Sequence, residues 1–129
     1  MLAMNYKGEF FPCLRYMETS HNKNNPILTR GDLKNGIGAT QETQERIDML
    51  KSITRSSQSD EKCMNCPIGA GCGWCSAYNY EVFGTPNKRA TYICDMHKAR
   101  CLANNYYHHK KGEVMDLNCP EEWAVEIIG

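Results

Sequence analysis

Cys63-Met64-Asn65-Cys66-Pro67-Ile68-Gly69-Ala70-Gly71-Cys72-Gly73-Trp74-Cys75 places four thiols within thirteen residues. The spacing is C-x2-C-x5-C-x2-C, and eighteen residues separate Cys75 from Cys94. A C-x2-C turn lets two sulfurs converge on one metal centre. Gly69, Gly71 and Gly73 are expected to take positive φ and allow close backbone approach. Iron–sulfur clusters need four thiolates and nearby N–H groups that bond the sulfurs. Zinc needs four ligands in a tetrahedron and accepts two C-x2-C turns as well, although its modules commonly hold them further apart. At this point both metals remain open.

The rest of the composition narrows the classes. Lys+Arg and Asp+Glu number 15 each in 129 residues, so the formal net charge is zero. That balance argues against a general nucleic-acid binder or a polybasic membrane-surface module. At 41% hydrophobic residues the chain is neither a disordered tail nor a membrane protein. Met1-Leu2-Ala3-Met4-Asn5-Tyr6-Lys7 lacks the marks of a secretory signal. The expected setting is reducing cytoplasm, where the 8 cysteines read as metal ligands before disulfides.

Outward from the cysteines, residues 1–14 read as a hairpin turning at Asn5–Gly8, with Pro12 at a strand edge or end. Residues 20–26 are a polar loop, solvated over Asn22–Asn25. Gly31-Asp32 and Asn35-Gly36 signal turns. Thr40 is an N-cap for a helix over Gln41–Arg55 that buries Ile47, Leu50 and Ile53. Ser76–Phe83 reads as a short helix, with Tyr78, Tyr80 and Phe83 walling the core. Thr91–Lys111 reads as the longest helix, with Met96, Ala99, Ala103 and Tyr106 as its apolar stripe and Gly112 past its end. A last helix is expected to start at Pro120. The fold class is a small α+β domain that depends on metal for much of its stability.

Gly8-x4-Cys13, Cys63-x2-Cys66-x5-Cys72-x2-Cys75 and Cys94 together resemble the auxiliary-cluster (SPASM) domain of radical S-adenosylmethionine peptide maturases. The runs Cys72–Tyr80 and Asn87–Cys94 resemble one bacterial branch of that family. The resemblance spans residues 1–112, N-terminally incomplete, with 113–129 as a C-terminal extension. It implies cytoplasmic proteins with two auxiliary 4Fe–4S clusters. Cys63, Cys66, Cys72 and Cys94 match ligands of the second auxiliary cluster, and Cys13 and Cys75 match ligands of the first. The family's last spacing is x3, where this chain has x2. The radical signature C-x3-C-x2-C is absent, so the chain by itself is expected to be non-catalytic and to be part of a longer maturase. S-adenosylmethionine would bind only in that parent. The implied partners are a precursor peptide and a radical core domain, with no nucleic acid and no membrane. The alternative is a structural four-cysteine zinc module for protein interaction, built on Cys63, Cys66, Cys72 and Cys75.

The remaining candidates have plainer readings. Cys101 is expected to be a buried helix thiol and Cys119 a free thiol. His97 reads as a helix-face histidine hydrogen-bonded locally, ahead of a Cys94-x2-His97 metal pair. His108 and His109 dress the helix end. Trp74 either shields a cluster or packs in the ordinary way.

Overall fold

Asn5 builds the first turn, its Oδ1 accepting from the backbone N–H of Lys7 and of Glu9, each at 3.0 Å. Gly8 completes the turn at φ 80°. Strand β1 (Ala3–Met4) then pairs antiparallel with β2 (Glu9–Phe11), Ala3 opposite Phe11. Pro12 stands just past the end of β2, where no ladder bond is lost. The structure is a computed structural model that describes residues 1–18, 20, 24–112, 119–120 and 122–124.

A second hairpin joins the first. β3 (Gly31–Asp32) pairs with β2 and with β4 (Gly36–Ile37), giving an antiparallel sheet in the order β1-β2-β3-β4. The sequence reading took these residues for turns alone, because two-residue strands are too short to alternate visibly. Asp32 organises the connection, its Oδ1 accepting from the N–H groups of Lys34 (2.9 Å) and Asn35 (2.8 Å). Gly31 sits at φ 136°, and a Cβ there would run into the Gly36 carbonyl oxygen. No other residue type fits.

Helix α1 (Gln41–Ser52) starts as its sequence predicts. The Thr40 hydroxyl accepts from the Thr43 N–H, and the Thr43 side chain answers the Thr40 N–H, a reciprocal capping box. Ile47 is buried, while Leu50 and Ile53 are half-buried. The helix ends at Ser52, and Arg55–Gln58 forms a separate turn, α2. Helix α4 (Ser76–Phe83) closes on Gly84 at φ 68°.

The chain divides into two units: Met1–Gln58 with Cys75–Arg89, and Ser59–Trp74 with Ala90–Gly129. The first holds the sheet, α1, α2 and α4. Its core joins Ala3, Phe11, Tyr16, Leu28, Ala77 and Tyr80, with Cys13 and Cys75 packed against it. Phe11 and Tyr16 are the largest contributors, at roughly 1.5–3 kcal/mol each for full burial. The Tyr80 hydroxyl donates to the Pro26 carbonyl at 2.5 Å, and Asn25 Nδ2 donates to the carbonyls of Tyr80 and Glu81 at 2.8 and 3.1 Å. Of the three aromatic residues expected to wall this core, only Tyr80 is buried; Phe83 is 39% exposed.

The second unit holds helix α3 (Glu61–Met64), the glycine-rich loop and helix α5 (Cys94–Lys110). Asp60 caps α3 by accepting from the Cys63 N–H at 2.8 Å. Gly112 follows α5 at φ 72°. The buried face of α5 is not the one its apolar residues suggest. Met96 and Tyr106 are 54% and 66% exposed, whereas His97 and Cys101 are buried. The helix is turned about one residue, or ~100°, so that its cysteine-bearing face is covered. Residues 122–124 are helical, with Trp123 buried and Lys98 Nζ 5.5 Å from its ring centroid.

The observed class is therefore α+β. Most of the expected 113–129 extension, and His21, Asn22 and Lys23 of the polar loop, lie outside the described residues; Asn25, expected to be solvated, is half-buried because its amide bonds α4 carbonyls. Among the described residues no helix is long and apolar enough to cross a membrane.

Candidate metal centre

The six cysteines of the resemblance divide cleanly between the units. Cys13 and Cys75 belong to the first; Cys63, Cys66, Cys72 and Cys94 belong to the second. All six are thiols outside any disulfide, with Cys63 buried and the others half-buried.

In the second unit, α3 positions Cys63, and the Cys66 N–H returns to the Cys63 carbonyl at 3.4 Å. The turns continue with Gly69 N–H on the Cys66 carbonyl (2.9 Å) and Gly71 N–H on the Ile68 carbonyl (3.0 Å). This loop achieves its bends without the positive φ expected of its glycines: none of Gly69, Gly71 and Gly73 has one. A Cβ at Gly73 would make an ordinary van der Waals contact of 3.4 Å with His97 Cε1. Cys94 opens α5. Burial first, and then the charges of Cys72 and Cys66, push the Cys94 thiol up from its ordinary value. Cys94 thus lies within electrostatic reach of both Cys72 and Cys66.

In the first unit Cys13 and Cys75 share two neighbours. Arg15 is held charged chiefly by its hydrogen bond with Cys75 and that thiol's charge, with smaller contributions from Tyr78 and Cys13. Its guanidinium carbon also lies 4.8 Å from the Tyr78 ring centroid. Burial pushes Tyr16 up to about 12; Cys13 and Cys75 add to the shift, and a hydrogen bond with Ser76 opposes it. Sequence reasoning passed over Arg15 and Tyr16. The signal available was their position, two and three residues after Cys13 on the short 3₁₀ turn Leu14–Tyr16.

Two readings need correction. Cys119 is not free: it is joined in a disulfide to Cys101, with Cα atoms 6.4 Å apart and a separation of 18 positions in sequence. Cys101 is buried as expected, but as half of a cross-link. The chain pattern gives no sign that residue 119 returns to the covered face of α5. His97 is not locally hydrogen-bonded through Nε2, which is buried without a hydrogen-bond partner among the described residues. Trp74 is 40% exposed.

The donor set can be tested against what it would hold. An all-thiol quartet suits a 4Fe–4S cluster or zinc. Among the described residues, no three His, Cys, Asp or Glu side chains are gathered closely enough to hold one metal ion. Four thiolates on zinc stand about 3.8 Å apart, given Zn–S bonds of about 2.3 Å. The sulfurs at the corners of a cubane stand wider, at roughly 6–7 Å. Two thiols, Cys13 and Cys75, are too few to complete either kind of site. The chain matches no protein-family model, no curated protein and no solved structure.

Proposed function

We propose that this chain is an auxiliary 4Fe–4S (SPASM-type) part of a radical S-adenosylmethionine enzyme that modifies a ribosomally made peptide. The observation that supports this reading is the sorting of thiols. Cys63, Cys66, Cys72 and Cys94 fall in one unit, with Cys94 in electrostatic reach of Cys66 and Cys72; Cys13 and Cys75 fall in the other, around Arg15 and Tyr16. Those are the two ligand groups that the family resemblance implies. The first group would hold one complete cluster, whose assembly would stabilise the second unit. Cys13 and Cys75 would be part of a second cluster completed by thiolates from elsewhere in the parent enzyme. When bound, the clusters would carry electrons. The protein's own part is to hold the thiolates, exclude water and contact the precursor peptide. Cleavage of S-adenosylmethionine would belong to a radical core outside this chain.

Iron and sulfide analysis after anaerobic reconstitution tests the reading. The expected product is brown and holds about four iron and four sulfide per chain. A colourless protein with one tightly held zinc would overturn it.

A further inference from the structure

We propose that the Cys101–Cys119 disulfide is a redox-operated latch: it holds residues 119–120 and 122–124 on helix α5, and two-electron reduction by a dithiol frees them and uncovers Trp123. Two attachments lie on one stripe of α5. Cys101, 7% exposed, is bonded to Cys119. Lys98 stands three residues earlier, on the same side of the helix, and its Nζ lies 5.5 Å from the Trp123 ring centroid. The segment therefore runs back along α5, meeting it with Cys119 at residue 101 and with Trp123 at residue 98. Trp123 is 7% exposed and follows Cys119 by only four residues. The segment has little of its own to keep it there. Its described helical residues are 122–124, far short of the roughly 12–15 that an isolated helix needs. The backbone bond that the described residues show within it is internal, from the Trp123 N–H to the Pro120 carbonyl at 3.1 Å. The disulfide keeps Trp123 at short range from α5. Without it the tether is the 18 positions of chain that separate Cys101 from Cys119, and the effective concentration of Trp123 at α5 falls.

The two sulfurs are unequally placed for exchange. Cys101 is buried and Cys119 half-buried, so an entering thiolate reaches the Cys119 sulfur. It bonds there, the S–S bond breaks, and the electron pair leaves with Cys101 as a thiolate. The reductant's second thiolate then displaces Cys119. The dithiol ends as a disulfide, oxidised by two electrons, and its two protons end on Cys101 and Cys119.

The test equilibrates the full chain in dithiothreitol buffers of graded oxidised-to-reduced ratio. Alkylation of Cys101 and Cys119 is followed by mass, and deuterium exchange is followed in the peptide that carries Trp123. The gain of both thiols and the faster exchange are expected to share one midpoint and to reverse on reoxidation. Cys119→Ser is expected to exchange fast at every ratio. In Trp74→Phe, Trp123 is the one tryptophan left, and its quenching by acrylamide is expected to rise several-fold across the same midpoint; the exchange measurement on the unsubstituted chain decides the matter even if this variant folds poorly. Slow exchange around Trp123 with both thiols free, or in Cys119→Ser, overturns the latch. So does fast exchange with the bond intact, or alkylation of both cysteines at every ratio.

Discussion

Asn79 Nδ2 donates to Gln58 Oε1 at 3.0 Å, and both residues are buried. The same amide donates to the Pro86 carbonyl, also at 3.0 Å. One side chain on α4 thereby fixes the end of α2 and the segment after Gly84. Asn79→Ala would leave two buried acceptors without their donor. The expected loss is about 2–4 kcal/mol, read as a lower urea midpoint. Ser57→Ala, which removes only solvent-exposed bonds to Asn87 and to the Thr54 backbone, is expected to lower the midpoint less. Equal effects from the two variants would contradict the assignment.

The Cys101–Cys119 bond predicts a linked pair of tryptic peptides under non-reducing conditions, one beginning at Cys101 and one containing Cys119. Closing a loop of this length is worth about 3 kcal/mol on chain-entropy grounds. Cys101→Ser is expected to lower the thermal midpoint accordingly. Alkylation of both residues in unreduced, air-purified protein would count against the bond.

Among the cysteines outside the disulfide, Cys→Ala at Cys63, Cys66, Cys72 or Cys94 is expected to remove most of the iron. The same change at Cys13 or Cys75 is expected to leave it, as is Cys101→Ser. Iron and sulfide per chain are the readout. Uniform losses across all the variants would mean that the thiols act through folding and not as two separate ligand groups.

Tyr16 gives a pH dependence whose sign follows from its burial. Its folded value is about 12, against about 10 for an unperturbed tyrosine. Between those values the unfolded chain has released a proton that the folded chain keeps, so stability falls as pH rises. Below about pH 10 the contribution is fully present. By pH 12 the loss approaches roughly 2–3 kcal/mol. Denaturant midpoints at pH 8 and near pH 11.5 should therefore diverge more in wild type than in Tyr16→Phe. Parallel behaviour of the two proteins would refute the assignment.

How far the sequence carried these conclusions depended on local chemistry. Thr40 and Gly84 announce helix ends because capping is settled within one turn, and α1 begins and α4 ends where those residues say. Asn5 and Gly8 announce the first hairpin for the same reason. The second hairpin stayed hidden because Gly31 and Gly36 carry no side chain to alternate. The covered face of α5 was misread because His97 and Cys101 look less apolar than Met96 and Tyr106, although they are the residues packed inside. The grouping of the thiols came from the resemblance and not from spacing, and that Arg15 and Tyr16 neighbour Cys75 as well as Cys13 emerges only when residue 75 meets the turn Leu14–Tyr16.

The alternation of the chain between its two units has a consequence for synthesis. Translation supplies residues in order, at about 5–20 per second. The core of the first unit needs Ala77 and Tyr80, so it closes only after residues 59–74 have already emerged. Those residues carry Cys63, Cys66 and Cys72, yet Cys94 has still to leave the ribosome. During that interval Cys63, Cys66 and Cys72 are out ahead of Cys94, and His97 is still missing beside Gly73. Any group that bridges Cys72 and Cys94 can therefore enter only after residue 94 has emerged.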